Sequence, residues 1–281
     1  MLKIENVEVM GWEAAIRGMR NPKNSWDKSD SFCKPSTENC CGCHDYDKCA
    51  YIFETTGKPY RGDIGPNDLD LMIRLRNAGT DHRKFMRMIT VYLDITAPLY
   101  WWKEFDTYKV GTVANSCSTM HMIAAKEFKP SDFSYEHLDD IWAYEPEIRD
   151  MAPVIGLETH TDKITNYVLG PNDILNLTIK MLNRCRNLYQ ITGENLKKDG
   201  LTETERKDLM DQQKVYWWQL IQLLPSSYNQ RRTIMLNYEV LANIYKSRHN
   251  HKLDEWHTFC DWIEGLPYSE LITGKEKNES L

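Results

Sequence analysis

The 281-residue sequence lacks the features that define several large classes of protein. No uninterrupted apolar run approaches the roughly 18 residues that suggest a membrane span. The opening residues MLKIENVEVM alternate apolar and polar side chains, whereas a signal peptide has a solid apolar core. Glycine and proline show no period of the kind found in fibrous chains. We therefore expect a folded, soluble, cytoplasmic protein with no membrane partner.

The sequence also lacks an excess of positive charge, because 35 Lys and Arg residues stand against 41 Asp and Glu residues. A protein that coats nucleic acid needs many cations along one face to neutralise phosphates. Nucleic acid is therefore not an expected partner, and an anion would have to bind in a local pocket. The 41% hydrophobic fraction and nine Trp residues are too high for a disordered chain, so a sizeable core is expected.

The hydrophobic pattern predicts a mixed α/β (α+β) chain with a central sheet flanked by long helices. It predicts strands from Lys3 to Met10 and from Phe85 to Leu93, and a helix that begins at Pro66. Further helices are predicted over residues 172–192, 202–224, 229–249 and 253–264. No repeat or low-complexity linker is visible. Residues 1–271 are therefore predicted to form one domain, followed by a charged tail at 272–281.

Five of the eight cysteines fall within residues 31–62, here called the cysteine segment. This segment has no helical period and is predicted to be an irregular loop. Zinc prefers thiolate and imidazole ligands, and two cysteines at the spacing of Cys40 and Cys43 can reach one ion. A zinc site would use those two residues with Cys33 and Cys49. The alternative is a loop of reduced thiols, because a second well-spaced cysteine pair is missing.

Two further segments carry groups that can bind a ligand. His82 follows Gly79 closely, just before a predicted strand, where functional side chains commonly lie. An exposed loop histidine is the alternative interpretation. Residues 112–119 are rich in small hydroxyl and thiol side chains, which can donate to a phosphate or a nucleobase. Such residues are also common in ordinary loops, and no base is visible next to Cys117 that would activate it as a nucleophile.

The predicted helix over residues 229–249 is apolar nearly all round, as is typical of a helix buried in a domain or between subunits. Asn237 and Arg248 would share one face of it, because eleven residues make about three turns. A buried arginine is suited to hold a carboxylate, a phosphate or a uracil-like edge. The alternative is an ion pair with Glu239 or Glu255.

In order and spacing, these features resemble the flavin-dependent thymidylate synthases. The matching elements are Gly79 to His82, Ala97-Pro98, the loop at 115–119, Leu224-Pro225, and a segment with Asn237, Asn243, Arg248 and His251. The resemblance covers residues 65–125 and 220–258 and implies that family's fold. It also implies reductive methylation of dUMP with methylenetetrahydrofolate, FAD and NADPH.

The resemblance assigns roles to the matching positions. Arg248 would contact the pyrimidine of dUMP and serve catalysis by polarising its carbonyl edge. FAD would be contacted by His82, Asn237, Asn243 and His251. Further contacts with the substrate would come from Glu104, Asn115, Cys117, Ser118 and Thr119. A homotetramer is expected, because the apolar helix needs cover and the family shares its active sites between subunits.

The sequence departs from the family at cationic positions. The family's Arg-His-Arg signature is Thr107-Tyr108-Lys109 here, and Thr119 or Met120 replaces the arginine of the phosphate loop. A nucleotide phosphate would lose charge-assisted partners, some of which Arg231, Arg232 and Lys109 could replace. Two alternatives therefore stay open. One is a related enzyme on another pyrimidine nucleotide, and the other is a non-catalytic homologue that binds a ligand or a partner protein.

Overall fold

A computed structural model describes residues 2–31, 64–138 and 170–275. Within these ranges the strands form one antiparallel sheet in the order β1-β2-β4-β3. The strands are β1 (Lys3–Met10), β2 (Thr90–Pro98), β3 (Val113–Ser116) and β4 (Asn229–Asn237). The predicted mixed α/β fold is confirmed. The four proposed zinc ligands of the cysteine segment lie outside the described residues.

Helices account for most of the remaining regular structure in these ranges. The α-helices are α1 (Trp12–Arg20), α2 (Pro66–Asn77), α3 (Leu99–Phe105), α4 (Pro171–Asn195), α5 (Glu203–Leu223), α6 (Tyr238–Arg248), α7 (Asp254–Glu264) and α8 (Glu270–Thr273). Short 3-10 segments cover Asn21–Lys23, Trp26–Lys28, Arg83–Met88 and Pro130–Asp132. No helix among the described residues is long and apolar enough to cross a membrane.

The chain divides into two compact units, and β2 and β4 each contribute residues to both. The helical unit comprises Met1–Lys3, Thr96–Phe105 and Ser116–Arg232. The mixed unit comprises Ile4–Ile95, Asp106–Asn115 and Thr233–Leu281. The expectation of one domain over residues 1–271 stays a prediction.

The helical unit is built on the pair of long helices α4 and α5, which pack against each other. Helix α5 starts with a capping box, in which Thr202 Oγ1 accepts from the backbone N–H of Glu205 and the Glu205 carboxylate accepts from that of Thr202. The core of this unit consists of Ile123, Ala124, Phe128, Phe133, Leu175, Ile179, Leu182, Cys185 and Leu220.

The mixed unit packs α1, α7, α8 and the Arg83–Met88 segment with α6 in a core that contains Trp256, Tyr238 and Phe259. Its polar turn after α1 is held by the buried ion pair of Arg20 Nε with Asp68 Oδ1, at 2.6 Å. Burial opposes ionisation of Asp68, but hydrogen bonds from serine side chains and from Arg20 lower the pKa of its carboxyl.

The predicted strand from Phe85 to Leu93 is wrong in its first half. The 3-10 segment Arg83–Met88 comes first, and β2 begins only at Thr90. Phe85 and Met86 are both buried, followed by two exposed residues and then buried Ile89. Adjacent buried side chains fit a helical turn, because successive side chains of a strand point to opposite faces.

The predicted helix over residues 229–249 is also wrong, because its first nine residues form β4 and only Tyr238–Arg248 is helical. Asn237 lies just before α6, and its side-chain oxygen accepts a hydrogen bond from the backbone N–H of Val240 at 3.0 Å. Asparagine in this position is a strong start signal for a helix. Asn237 and Arg248 therefore do not share a helix face but lie at opposite ends of α6, about 16 Å apart along its axis.

Candidate functional site

Arg248 lies at the end of α6 in the mixed unit, half-buried between two aromatic rings. Its Nε donates to the hydroxyl of Tyr108 at 2.9 Å. Its guanidinium carbon is 4.9 Å from the ring centroid of Trp256 and 5.7 Å from that of Tyr108. The two rings meet edge to face, with centroids 6.2 Å apart. In this arginine cluster, the hydrogen bond to Tyr108 and the contacts with both rings restrict the orientation of the guanidinium.

His251 belongs to the same cluster. Its backbone N–H donates to the carbonyl of Arg248 at 2.9 Å, and its ring centroid is 6.3 Å from that of Trp256. The backbone N–H of Leu253 donates to His251 Nδ1 at 3.2 Å. Because Nδ1 accepts, Nε2 carries the proton in the neutral ring. The imidazole also lines a cleft of about 630 Å³ with side chains of α6 and α7.

Asn243 belongs to an ionic network around Glu239, on the first turn of α6. Arg83 donates from Nε to Glu239 at 3.3 Å and from Nη2 to Asn243 Oδ1 at 3.1 Å. Arg87 also donates to Glu239 through its Nε. Burial opposes ionisation of Glu239, but these arginines outweigh it and lower the pKa of the carboxyl. Glu239 is thus paired with Arg83 and Arg87, contrary to the pairing with Arg248 that was the alternative from the sequence.

His82 is exposed and immediately precedes the 3-10 segment that carries both arginines. It lines an open cleft of about 1030 Å³ in the mixed unit. Lysines 23, 28 and 84 line the same cleft, as do the ion-paired Arg20 and Arg74. The two carboxylates in the lining are Asp70 and Asp81, so positive charge predominates. A cleft of this size and charge fits a dinucleotide with an anionic pyrophosphate.

Asn237 has a structural task, because its side chain caps α6. The α-carbon of Gly111 approaches it so closely that an added Cβ would lie 2.9 Å from Asn237 Nδ2. Gly111 also has a φ of 82°, which favours glycine. Glycine is therefore required there for two independent reasons, and together the two residues fix the start of α6.

The remaining predicted substrate residues lie on α3, on β3 and after it. Glu104 is half-buried on α3, and Asn115 is exposed on β3. Residues 117–121 form a turn, here called the Cys117 loop, within the helical unit. Cys117 N–H donates to the carbonyl of Arg231 at 2.9 Å. Ser118 Oγ accepts from the backbone N–H of His121 at 3.0 Å, and Trp217 Nε1 donates to the carbonyl of Met120 at 2.9 Å.

A second anchored arginine lies beside this loop. Arg232 Nε donates to Gln230 Oε1 at 3.0 Å, and Gln230 Nε2 donates to the carbonyl of Cys117 at 2.8 Å. The guanidinium carbon of Arg232 is 4.2 Å from the ring centroid of Trp102, whose Nε1 donates to the carbonyl of Gln230 at 2.9 Å. Gln230 is 7% exposed. The network thus connects the loop to a cation on β4.

Sequence reasoning missed several of these side chains. Tyr108 was noted only as a departure from the Arg-His-Arg signature, although it binds Arg248. Trp256 and Gln230 were not singled out at all. Arg83 and Arg87, which bind Glu239, were also missed, and no pattern in the sequence pairs them with that carboxylate. Among the described residues, no group of three or more His, Cys, Asp or Glu is arranged to hold a metal ion.

No family model matches the sequence, and no curated protein matches it. Solved structures do match. Thymidylate synthase X from Helicobacter pylori, solved with FAD and dUMP, has a TM-score of 0.50 at 12% identity, and the match covers 97% of each chain. The chain has the fold of a flavin-dependent thymidylate synthase. The fold that the sequence resemblance implied is thereby confirmed.

Two further solved structures match at lower TM-scores. A second structure of the flavin-dependent thymidylate synthase from H. pylori, complexed with FAD and dUMP, has a TM-score of 0.49 at 13% identity over 96% of this chain and 97% of that chain. The UMP/dUMP methylase PolB from Streptomyces cacaoi, bound with 5-Br UMP, has a TM-score of 0.41 at 12% identity over 94% and 88%.

Proposed function

We propose that this chain is a cytoplasmic flavin-dependent enzyme that reductively methylates dUMP, with methylenetetrahydrofolate as the one-carbon donor and NADPH as the reductant. The observation that carries the proposal is the arginine cluster. Arg248, the position that the sequence resemblance assigns to the pyrimidine, donates a hydrogen bond to Tyr108 and lies against the ring of Trp256. The thymidylate synthase fold supports the proposal at the level of architecture.

Arg248 has a clear task in such a reaction. Methylation at C5 requires that carbon to act as a nucleophile, and negative charge then spreads onto the carbonyl edge of the ring. A guanidinium that donates to this edge stabilises that charge, and it does so without reorganising if its orientation is already fixed. The hydrogen bond from Nε to Tyr108 provides this fixed orientation.

The basic cleft lined by His82 is the proposed position of FAD. Its lysines would pair with the pyrophosphate, while His82 and Asn243 would contact the cofactor as the resemblance implies. Asn237 is also assigned to FAD, although its side-chain oxygen already caps α6. When bound and reduced, FAD supplies the hydride. The protein supplies binding and orientation.

The Cys117 loop is proposed to receive the phosphate of the nucleotide. Ser118 and Thr119 provide hydroxyls, and the loop is held in place by hydrogen bonds at both ends. Glu104 and Asn115 are proposed as further polar contacts to the substrate. Cys117 is assigned to binding through its position in the loop and not to nucleophilic attack.

The direct test is turnover. Purified protein is mixed with dUMP, methylenetetrahydrofolate, FAD and NADPH, and dTMP is measured by liquid chromatography and mass spectrometry, with UMP in a parallel reaction. Formation of dTMP supports the proposal. Methylation of UMP alone would instead support the related enzyme on another nucleotide. Nucleotide binding by calorimetry without turnover would support the non-catalytic homologue, and absence of both would refute the proposal.

We also propose a homotetramer, although its first rationale has failed. The chain itself buries α6, through contacts with α7, α8 and the Arg83–Met88 segment. A different surface now supports association, since α4 exposes four large apolar side chains: Ile174, Leu177, Met181 and Ile191. The cytoplasmic location is supported by three free thiols among the described residues: Cys117, Cys185 and Cys260.

A further inference from the structure

The Cys117 loop presents a problem of charge. Residues 117–121 are Cys-Ser-Thr-Met-His and contain neither Lys nor Arg. A phosphate monoester carries up to two negative charges, and its strong partners in proteins are charge-assisted donors. The loop side chains offer two hydroxyls, one thiol and the imidazole of His121, and none of these carries the permanent charge of a Lys or Arg. Such a loop alone would hold a dianionic group weakly. A cation must therefore come from another part of the chain.

Two cations of the helical unit are coupled to this loop in different ways. Lys126 donates to Asp132 at 2.9 Å. Arg232 is tied to the loop itself, because Gln230 accepts from the arginine and donates to the carbonyl of Cys117. The guanidinium requires an acceptor and the carbonyl requires a donor, so the orientation of the Gln230 amide is determined.

Two contacts hold Arg232 in position. Its guanidinium carbon lies 4.2 Å from the ring centroid of Trp102, a side chain only 1% exposed. The hydrogen bond from its Nε to Gln230 restricts the rotation of the guanidinium. The side chain as a whole stays half-buried, so it retains access to solvent. A planar fork held in this way is suited to two oxygens of one phosphate group.

We propose that Arg232 is the cation that binds the substrate's phosphate monoester beside the Cys117 loop, in place of the arginine that the loop lacks. Gln230 and Trp102 are its positioning residues. This inference rests on the proposed function only in taking a nucleotide phosphate as the anion. The binding chemistry itself, a guanidinium with loop hydroxyls, belongs to the helical unit alone.

The neighbouring residue provides a matched control. Arg231 carries the same charge one position earlier on β4, but side chains alternate along a strand, so it projects from the opposite face. The burial pattern agrees, with Gln230 buried, Arg231 exposed and Arg232 half-buried. Replacing either arginine by glutamine changes the net charge equally. Only Arg232→Gln removes the guanidinium that is tied to the loop.

The experiment compares dUMP with deoxyuridine, which lacks the phosphate, by calorimetry on the wild type, Arg232→Gln, Arg231→Gln and Arg232→Lys. Arg232→Gln should weaken dUMP binding by about 10- to 100-fold, the usual effect of losing a charge-assisted pair, and leave deoxyuridine binding unchanged. Arg231→Gln should change neither. Arg232→Lys should recover part of the loss, because it restores the charge without the fork.

Three results would overturn the inference: equal losses for both ligands in Arg232→Gln, equal losses of dUMP binding in both glutamine variants, or unchanged dUMP binding in Arg232→Gln. If the wild type binds neither nucleoside nor nucleotide, the proposed function fails, and titration with inorganic phosphate tests the anion site separately. Thermal stabilisation of the wild type by phosphate, but not of Arg232→Gln, would then support the site. No stabilisation of the wild type would refute it.

Discussion

Replacement of Arg248 by glutamine separates a role in nucleotide binding from a role in stability. The substitution removes the guanidinium that donates to Tyr108 and stacks on Trp256. If Arg248 holds the pyrimidine edge, the lost charge-assisted hydrogen bonds are worth about 1.5–3 kcal/mol. This corresponds to a rise of about 10- to 150-fold in the Kd for dUMP.

A graded series strengthens the test. Tyr108→Phe keeps the ring but removes the hydroxyl that accepts from Arg248 Nε, an interaction of about 0.5–1.5 kcal/mol. The Kd for dUMP should then rise by roughly 2- to 12-fold. Lys246→Gln is the control, since Lys246 is exposed on the same helix and the change in charge is the same. It should leave the Kd unaltered.

Calorimetric titration with dUMP and thermal unfolding by circular dichroism are measured on each variant. Under the competing interpretation, Arg248 is half of an ion pair with Glu255, which is buried. Arg248→Gln would then leave that carboxylate uncompensated at a cost of about 3–5 kcal/mol, and adding Glu255→Gln would restore part of the stability. A large loss of stability that Glu255→Gln rescues, with unchanged dUMP affinity, would refute the nucleotide assignment.

Four further outcomes are expected. Glu239→Gln should lower the free energy of unfolding at pH 7 by about 1–3 kcal/mol. Because its arginine partners lower the pKa of Glu239, this contribution is lost as the pH falls through that lowered pKa. Denaturant titrations of the two proteins should therefore converge in acid, and a constant difference down to pH 3 would contradict the pairing. Titration with FAD should give a saturable change in flavin fluorescence, and none up to high micromolar concentration would favour the non-catalytic homologue. Light scattering should give four times the 33.1 kDa chain mass, whereas the mass of one chain would exclude the tetramer. Elemental analysis should find stoichiometric zinc if the cysteine segment binds it, and substoichiometric metal would refute the predicted zinc site.

The elements of the fold that could be predicted are those whose ends are marked by residues with a strong local preference. Helix α2 was located from Pro66 at its first position and Asp68 in its first turn, both of which favour a helix start. The prediction of a helix over the residues of β4 was wrong because the apolar residues of β4 continue directly into those of α6. A continuous apolar stretch does not distinguish a strand from a helix. Asn237 lies at the boundary between β4 and α6, but an asparagine indicates a helix start only when the residues after it are known to be helical.

Single positions of the candidate site could be proposed from the sequence, but contacts between distant positions could not. Arg248 was proposed from its place in the family pattern, and its role stays a prediction. Its partner Tyr108 is 140 positions away in the sequence, and the link from Gln230 to Cys117 spans 113 positions. Such pairs depend on tertiary packing, for which a single sequence holds no periodic signal. The proposal that Arg232 replaces the missing arginine therefore rests on contacts that only the structure shows.

The junction between β4 and α6 has a consequence for how this chain can change. Strand and helix follow each other with no connecting residue, so Asn237 ends one and caps the other. One inserted residue after Asn237 would turn the side chains of α6 by about 100° around its axis. Arg248 would then leave the rings of Tyr108 and Trp256. An exposed position such as Lys246 can accept other side chains. An insertion or deletion between Asn237 and Arg248 would instead move Arg248 away from both rings.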